Sequence, residues 1–137
     1  MTKIGNSCFK NCGSINKIIL PTTLTELKSH MFENCNKLAQ IELPDSIKYI
    51  NSYCFANCTE LIIVKVGESL EMLGSNCFEN CSKLYYVSYS KNLNYIGEKC
   101  FKNCKLLERI KIPQTTVAYP KSFKGCDNLK IKRLKNN

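Results

Sequence analysis

The hydrophobic positions of this chain recur with a fixed period. Phenylalanine falls at Phe9, Phe32, Phe55, Phe78 and Phe101, always 23 residues apart, then at Phe123 after a step of 22. Three residues beyond each ring stands a cysteine (Cys12, Cys35, Cys58, Cys81, Cys104, Cys126). Three beyond that comes an aliphatic residue (Ile15, Leu38, Leu61, Leu84, Leu107, Leu129). Self-similarity at a period of this length marks a solenoid. From the aliphatic residue the chain reads L-x-x-I-x-L, as in Leu38 to Leu43 or Leu107 to Ile112. Alternating apolar residues rich in valine and isoleucine predict a short, half-buried strand. Pro21, Pro44 and Pro113, with Gly67 and Ser90 in the same slot, end it. A second apolar pair follows in each unit: Leu24 and Leu27, Ile47 and Ile50, Leu70 and Leu73, Leu93 and Ile96. Each coil aims more apolar side chains inward than it can bury alone, so the coils must stack. At a strand spacing of about 4.8 Å they would form a rod roughly 25–30 Å long. Residues 1–137 read as one domain with no linker, its repeats starting near 4, 27, 50, 73, 96 and 118.

The composite motif L-x-x-I-x-L-P-x-x-L-x-x-I-G-x-x-C-F-x-N-C spans residues 4 to about 134. It resembles the BspA-like, or Treponema-pallidum-type, class of leucine-rich repeat. It departs from ordinary leucine-rich repeats by placing proline and a second apolar pair where those carry asparagine. The resemblance implies an α/β-type, mostly β solenoid of about six 23-residue repeats. It further implies a right-handed superhelix with a parallel sheet on the concave side and short helical turns on the convex side. Members of the class are interaction or adhesion proteins, so the resemblance brings no catalytic residues with it.

The ten cysteines invite a chemical reading. Cys8/Cys12, Cys54/Cys58, Cys77/Cys81 and Cys100/Cys104 form C-x-x-x-C pairs, a spacing that suits zinc poorly, and accompanying histidines are absent. On a helical turn such residues hold their Cβ atoms about 5–6 Å apart, beyond the roughly 3.5–4.5 Å of a disulfide. Where the first member becomes Met31 or Ser122, its partner Cys35 or Cys126 remains, so the thiols read as small core fillers, not as pairs. Reduced thiols and the lack of an apolar leader point to the cytoplasm, with the cell surface as the alternative if the natural chain is longer. No apolar run approaches membrane-spanning length. The asparagines before the second cysteine (Asn11, Asn34, Asn57, Asn80, Asn103) are expected to cap the turn or bond backbone. Asn57-Cys58-Thr59 and Asn80-Cys81-Ser82 match glycosylation acceptors only as by-products of the repeat. The single histidine, His30, shares its slot with Ser7, Tyr53, Asn76, Lys99 and Lys121, a variability that predicts solvent exposure. Gly5, Gly74 and Gly97 recur singly, so there is no phosphate loop, and no acidic pair recurs beside a slot for a general acid. No catalytic residue, metal ligand or cofactor follows from the sequence.

Function is then a matter of surfaces. In L-x-x-I-x-L the x residues beside the isoleucine face outward. Down the stack they form two columns: Lys17, Gln40, Ile63, Tyr86, Arg109, Ile131, and Ile19, Glu42, Lys65, Ser88, Lys111, Arg133. Ile62, Ile63, Tyr85 and Tyr86 make the middle apolar and aromatic, with Lys65, Arg109, Lys111 and Arg133 around it, the composition of an interaction hot spot. These residues are the expected site for a protein or glycan ligand; β-propensity alone is the plainer explanation of the tyrosines and isoleucines. Ile15, Ile18, Ile19 and Leu20 read as an unguarded edge strand, apolar on both faces, expected to pair with a second copy. At the far end Lys132 reads as a guard in a slot that holds isoleucine or valine elsewhere. Charge is uneven: residues 1–101 carry +1 and residues 102–137 carry +8. An acidic protein surface, glycan, anionic membrane or nucleic acid would be drawn to Lys121, Lys124, Lys130, Lys132, Arg133 and Lys135. No nucleic-acid module supports the last of these.

Overall fold

Residues 7–135 are described by a computed structural model; the expected start of the first coil (Ile4, Gly5) and the expected frayed end (Asn136, Asn137) lie outside them. The strands are β1 Glu26–Leu27, β2 Gln40–Glu42, β3 Tyr49–Ile50, β4 Ile63–Lys65, β5 Met72–Leu73, β6 Tyr86–Val87, β7 Tyr95–Ile96, β8 Arg109–Pro113, β9 Val117–Ala118 and β10 Lys130–Leu134. All pairings are parallel. The L-x-x-I-x-L stretches give a three-stranded sheet β2-β4-β6 and a two-stranded sheet β8-β10, with β6 beside β8. The second apolar pairs give a five-stranded sheet β1-β3-β5-β7-β9. Equivalent positions of successive coils therefore sit one above another, as the repeat predicts.

Between the sheets lies a single column of rings. Phe9, Phe32, Phe55, Phe78, Phe101 and Phe123 stack at 5.3 Å between neighbouring centroids, with interplanar angles of 2° to 11°. Leu38, Leu61, Leu84 and Leu107, together with the second apolar pairs, complete the core.

The third side corrects one expectation. Among the described residues there is no helix. The C-F-x-N-C stretch is a run of turns whose amides point two ways. Phe32 N–H donates to the Cys54 carbonyl of the next coil (2.8 Å) and Asn34 N–H to that of Ala56 (2.9 Å), whereas Cys35 N–H closes back on Phe32 (3.1 Å). A helix would need every amide for its own i−4 carbonyl; here alternate amides hold the coils together instead. The backbone bends accordingly, with φ between 56° and 63° at Ser7, His30, Tyr53, Asn76 and Lys99 and at all five asparagines.

Those asparagines do not cap the turn with their side chains. They bond to one another from coil to coil: Asn34 to Asn11 (2.7 Å), Asn80 to Asn57 (2.9 Å), Asn103 to Asn80 (2.9 Å). In the last coil Gly125 takes this slot at φ 82°, because a Cβ there would lie 2.4 Å from the Asn103 Oδ1. Each second cysteine adds a bond: the thiols of Cys35, Cys58, Cys81, Cys104 and Cys126 donate to the carbonyl of the phenylalanine one coil earlier, at 3.0–3.1 Å. In the first cysteine slot Ser122 replaces the thiol with a buried hydroxyl, which donates to the Gly97 carbonyl (2.8 Å) and accepts from the Tyr119 amide (3.0 Å).

Candidate functional site

The predicted apolar patch is continuous. Ile63 pairs with Tyr86 in the β4–β6 ladder, and the amides of Tyr85 and Tyr86 both reach the Ile62 carbonyl (2.8 and 3.1 Å). L-x-x-I places two consecutive residues outside the sheet: Tyr85 is 57% exposed and Tyr86 47%, while Leu84 and Val87 on either side are buried. Ile62 is 41% exposed and Ile63 half-buried. Lys65 stands opposite Glu42 in the β2–β4 register, one position along from the patch. Arg109 and Lys111 project from β8 beside β6, and both are exposed.

Arg133 is not in the expected column. β10 pairs with β8 one residue earlier than the repeat spacing implies: Lys130 opposite Arg109, Ile131 opposite Ile110, Lys132 opposite Lys111, Arg133 opposite Ile112. The cause is visible in the last copy, where Leu129 and Ile131 are two apart instead of three. A one-residue slip exchanges the faces of a strand. Ile131 therefore takes the inward position, 44% exposed because no further coil among the described residues covers it, and Lys132 is no guard in an inward slot. Arg133 turns to the preceding loop, donating to the carbonyls of Gln114 (3.2 Å) and Thr116 (2.7 Å). Lys130 and Lys132, expected only as part of the basic end, thus take the outward places opposite Arg109 and Lys111. Counting columns from Ile131 instead of Leu129 would have found them.

At the other end the expected edge strand does not form. Residues 15–20 carry no strand, Leu20 is buried, Ile15 and Ile18 are partly buried, and Ile19 is 83% exposed. The same coil is held on its turn side, where Phe9 stacks on Phe32 and donates its amide to the Met31 carbonyl (2.9 Å). On the strand side Lys17 and Ile19 would face Gln40 and Glu42, which offer no apolar cross-strand partner. A cleft of about 700 Å³ opens there, lined by residues 17–20 and by β2 and β4.

A further outward row, unforeseen from the sequence, runs along the five-stranded sheet. Tyr49, Met72, Tyr95 and Val117 occupy successive register positions, and Tyr119 meets Tyr95 edge to face at 5.6 Å.

His30 is less open than its slot suggested. Its ring stacks on Tyr53 (5.1 Å) and its Nδ1 lies 2.9 Å from Glu33, which Lys10 also meets at 3.1 Å. Burial pushes the Glu33 carboxyl up, but the bonds from His30 and Lys10 outweigh it and hold the group below its ordinary value. Among the described residues no three His, Cys, Asp or Glu side chains converge as metal ligands. The cysteines are unpaired: burial pushes the Cys58 thiol up to about 12, and Cys54, Cys77, Cys81 and Cys104 rise for the same reason. Cys126 alone is lowered, by a bond from Cys104.

These coils, ladders and flat outward faces define a leucine-rich-repeat solenoid, a scaffold class. More particularly, residues 2–130 match the BspA type leucine rich repeat region in six copies, and the chain belongs to that family. It is similar to the crystal structure of a leucine-rich repeat protein of T. pallidum (TM-score 0.91, 29% identity), over 98% of this chain and 64% of that one. A leucine-rich repeat protein from Bacteroides ovatus gives 0.67 and 26%, over 98% and 41%. A leucine rich cell surface protein from Faecalibacterium prausnitzii shares the fold at 0.56 and 18%, over 95% and 56%. The chain thus spans less than two thirds of each of these proteins. No curated relative matches it. No helix among the described residues is long and apolar enough to cross a membrane.

Proposed function

We propose that the chain is a non-enzymatic scaffold that holds a protein or glycan ligand on the outward face of its β2-β4-β6 and β8-β10 sheets, the face expected to be concave. The observation that carries this reading is the exposed cluster of Ile62, Ile63, Tyr85 and Tyr86 beside Arg109 and Lys111. Tyrosine and arginine are enriched among the few residues that carry most of an interface's binding energy. None of these side chains belongs to the buried core, so losing the Ile63–Tyr86 cross-strand pair should cost about 1 kcal/mol or less and leave the stack folded. The test is a pull-down from native lysate with wild type and the Tyr86→Ala/Ile63→Ala variant. A partner retained by wild type and lost by the variant, with the variant still folded at the assay temperature, is the expected result. A partner indifferent to both changes removes the site. Unpaired thiols suit a reducing compartment. The alternative setting is a cell surface, where such a face would serve adhesion.

A second reading is self-association through the N-terminal coil, favoured by Ile19 at 83% exposure beside an open cleft. Light scattering decides it: a dimer that Ile19→Lys dissociates is expected, and a monomer at high concentration ends the idea.

A further inference from the structure

Several charged side chains that face each other from coil to coil in this solenoid are of opposite sign. Lys10 meets Glu33 (3.1 Å), Lys83 meets Glu60 (2.8 Å), Lys91 meets Glu68 (3.9 Å), and Glu42 stands opposite Lys65 in register. The strand pair β8–β10 holds two like-charge pairs instead. There Arg109 faces Lys130 and Lys111 faces Lys132, all four exposed and none in an ion pair among the described residues. The nearest acids along these strands, Glu108 and Asp127, form no ion pair with any of them. Like charges directly opposed across a ladder are destabilising. The register slip thus builds a square of cations about 4.8 Å by 6–7 Å on the outward face. It adjoins β6, which carries Tyr86.

We infer that this square, together with the neighbouring apolar patch, binds an acidic segment of a partner protein: a cluster of carboxylates next to an aliphatic or aromatic side chain. The inference rests on the proposed ligand-binding face and names the ligand's chemistry. Four cations without a carboxylate call for an anion. The patch beside them selects among anions. A sulfated sugar stacks on tyrosine but leaves Ile62 and Ile63 without an apolar partner, and a nucleic-acid strand would need aromatic platforms spaced along the basic row. A peptide bearing both carboxylates and an apolar anchor matches both halves of the surface.

Fluorescence anisotropy with synthetic peptides tests this on the full chain. One labelled peptide joins a run of glutamates to a pair of leucines, one carries the glutamates alone, and one the leucines alone. The joined peptide is expected to bind more tightly than either part. Lys130→Gln/Lys132→Gln is expected to weaken it roughly tenfold and to flatten its salt dependence. That variant should melt no lower than wild type, since it relieves repulsion, so a loss of binding is not a loss of fold. A joined peptide that binds no better than its parts overturns the inference. So does a heparin-like oligosaccharide or a random-sequence single-stranded DNA that binds more tightly than the joined peptide. If Tyr86→Ala/Ile63→Ala abolishes binding while the lysine variant leaves it intact, the cation square is wrong and the apolar site survives. If neither variant matters, both fall.

Discussion

Lys99, Tyr53, His30 and Asn76 hold φ near +60° although none is glycine: the last three donate their amides to the next coil's Ser75, Ser52 and Glu98 carbonyls, while in all four turns the amide that follows closes back on its own coil. A left-handed backbone costs an ordinary L-residue roughly 1–2 kcal/mol, and glycine far less. Lys99→Gly is therefore expected to stabilise the fold by about 0.5–1 kcal/mol, measured by urea unfolding, despite glycine's greater freedom in the unfolded chain. Asn57→Ala should cost about 2 kcal/mol, since it loses both tolerance of that backbone and the bond from Asn80. The asparagine ladder also speaks against the sequence's glycosylation matches: the Asn80 amide nitrogen is already donated to Asn57. Thiol reactivity is a second test of the same stacking. Native alkylation near pH 8 is expected to modify exposed Cys8 first, then Cys12 and Cys126. Cys58 and its buried neighbours should react only on unfolding, which peptide mass spectrometry would show. Early labelling of Cys58 would mean that the coils are not closed over it.

The strands and their order were readable because leucine, isoleucine and phenylalanine recur at one spacing, and burial enforces that spacing. What was not readable follows from weaker forces. The turn conformation at His30, Tyr53 and Lys99 leaves no compositional trace, because side chains in that slot are only partly buried and free to vary; the asparagine column was the one usable sign. The helical turn failed because amide direction, not apolar periodicity, decides it. Residues 15–20 carry the strand pattern, yet an end coil with a partner on one side only does not hold it against β2. The register of β10 departs from the repeat by one residue because Ile131, two positions after Leu129 instead of three, takes the place opposite Ile110. That slip predicts its own energetics. Lys130→Glu places a carboxylate opposite Arg109 and should raise stability by about 0.5 kcal/mol at low salt. The gain should shrink at high salt as the pair is screened. A gain independent of salt, or a loss, would show that Lys130 does not face Arg109.

Stacked repeats derive stability from nearest-neighbour interfaces, so position in the stack should matter as much as residue type. The phenylalanine column offers a clean comparison, because the same ring is present in every coil in nearly the same orientation. Phe78 is fully buried and stacks on Phe55 and Phe101; Phe9 stacks on Phe32 alone and is partly exposed. Phe78→Ala is expected to cost about 3–5 kcal/mol, as a large core cavity does. Phe9→Ala should cost less than half of that. Its effect should appear as faster amide exchange confined to the first coil, where the strand side is already unzipped from β2, and not as a lower global midpoint. Hydrogen exchange read coil by coil separates the two outcomes. Equal costs at Phe9 and Phe78, or exchange that rises uniformly along the chain, would mean that the coils open as one unit. The N-terminal cleft would then be a fixed part of the surface and not the loosest joint of the stack.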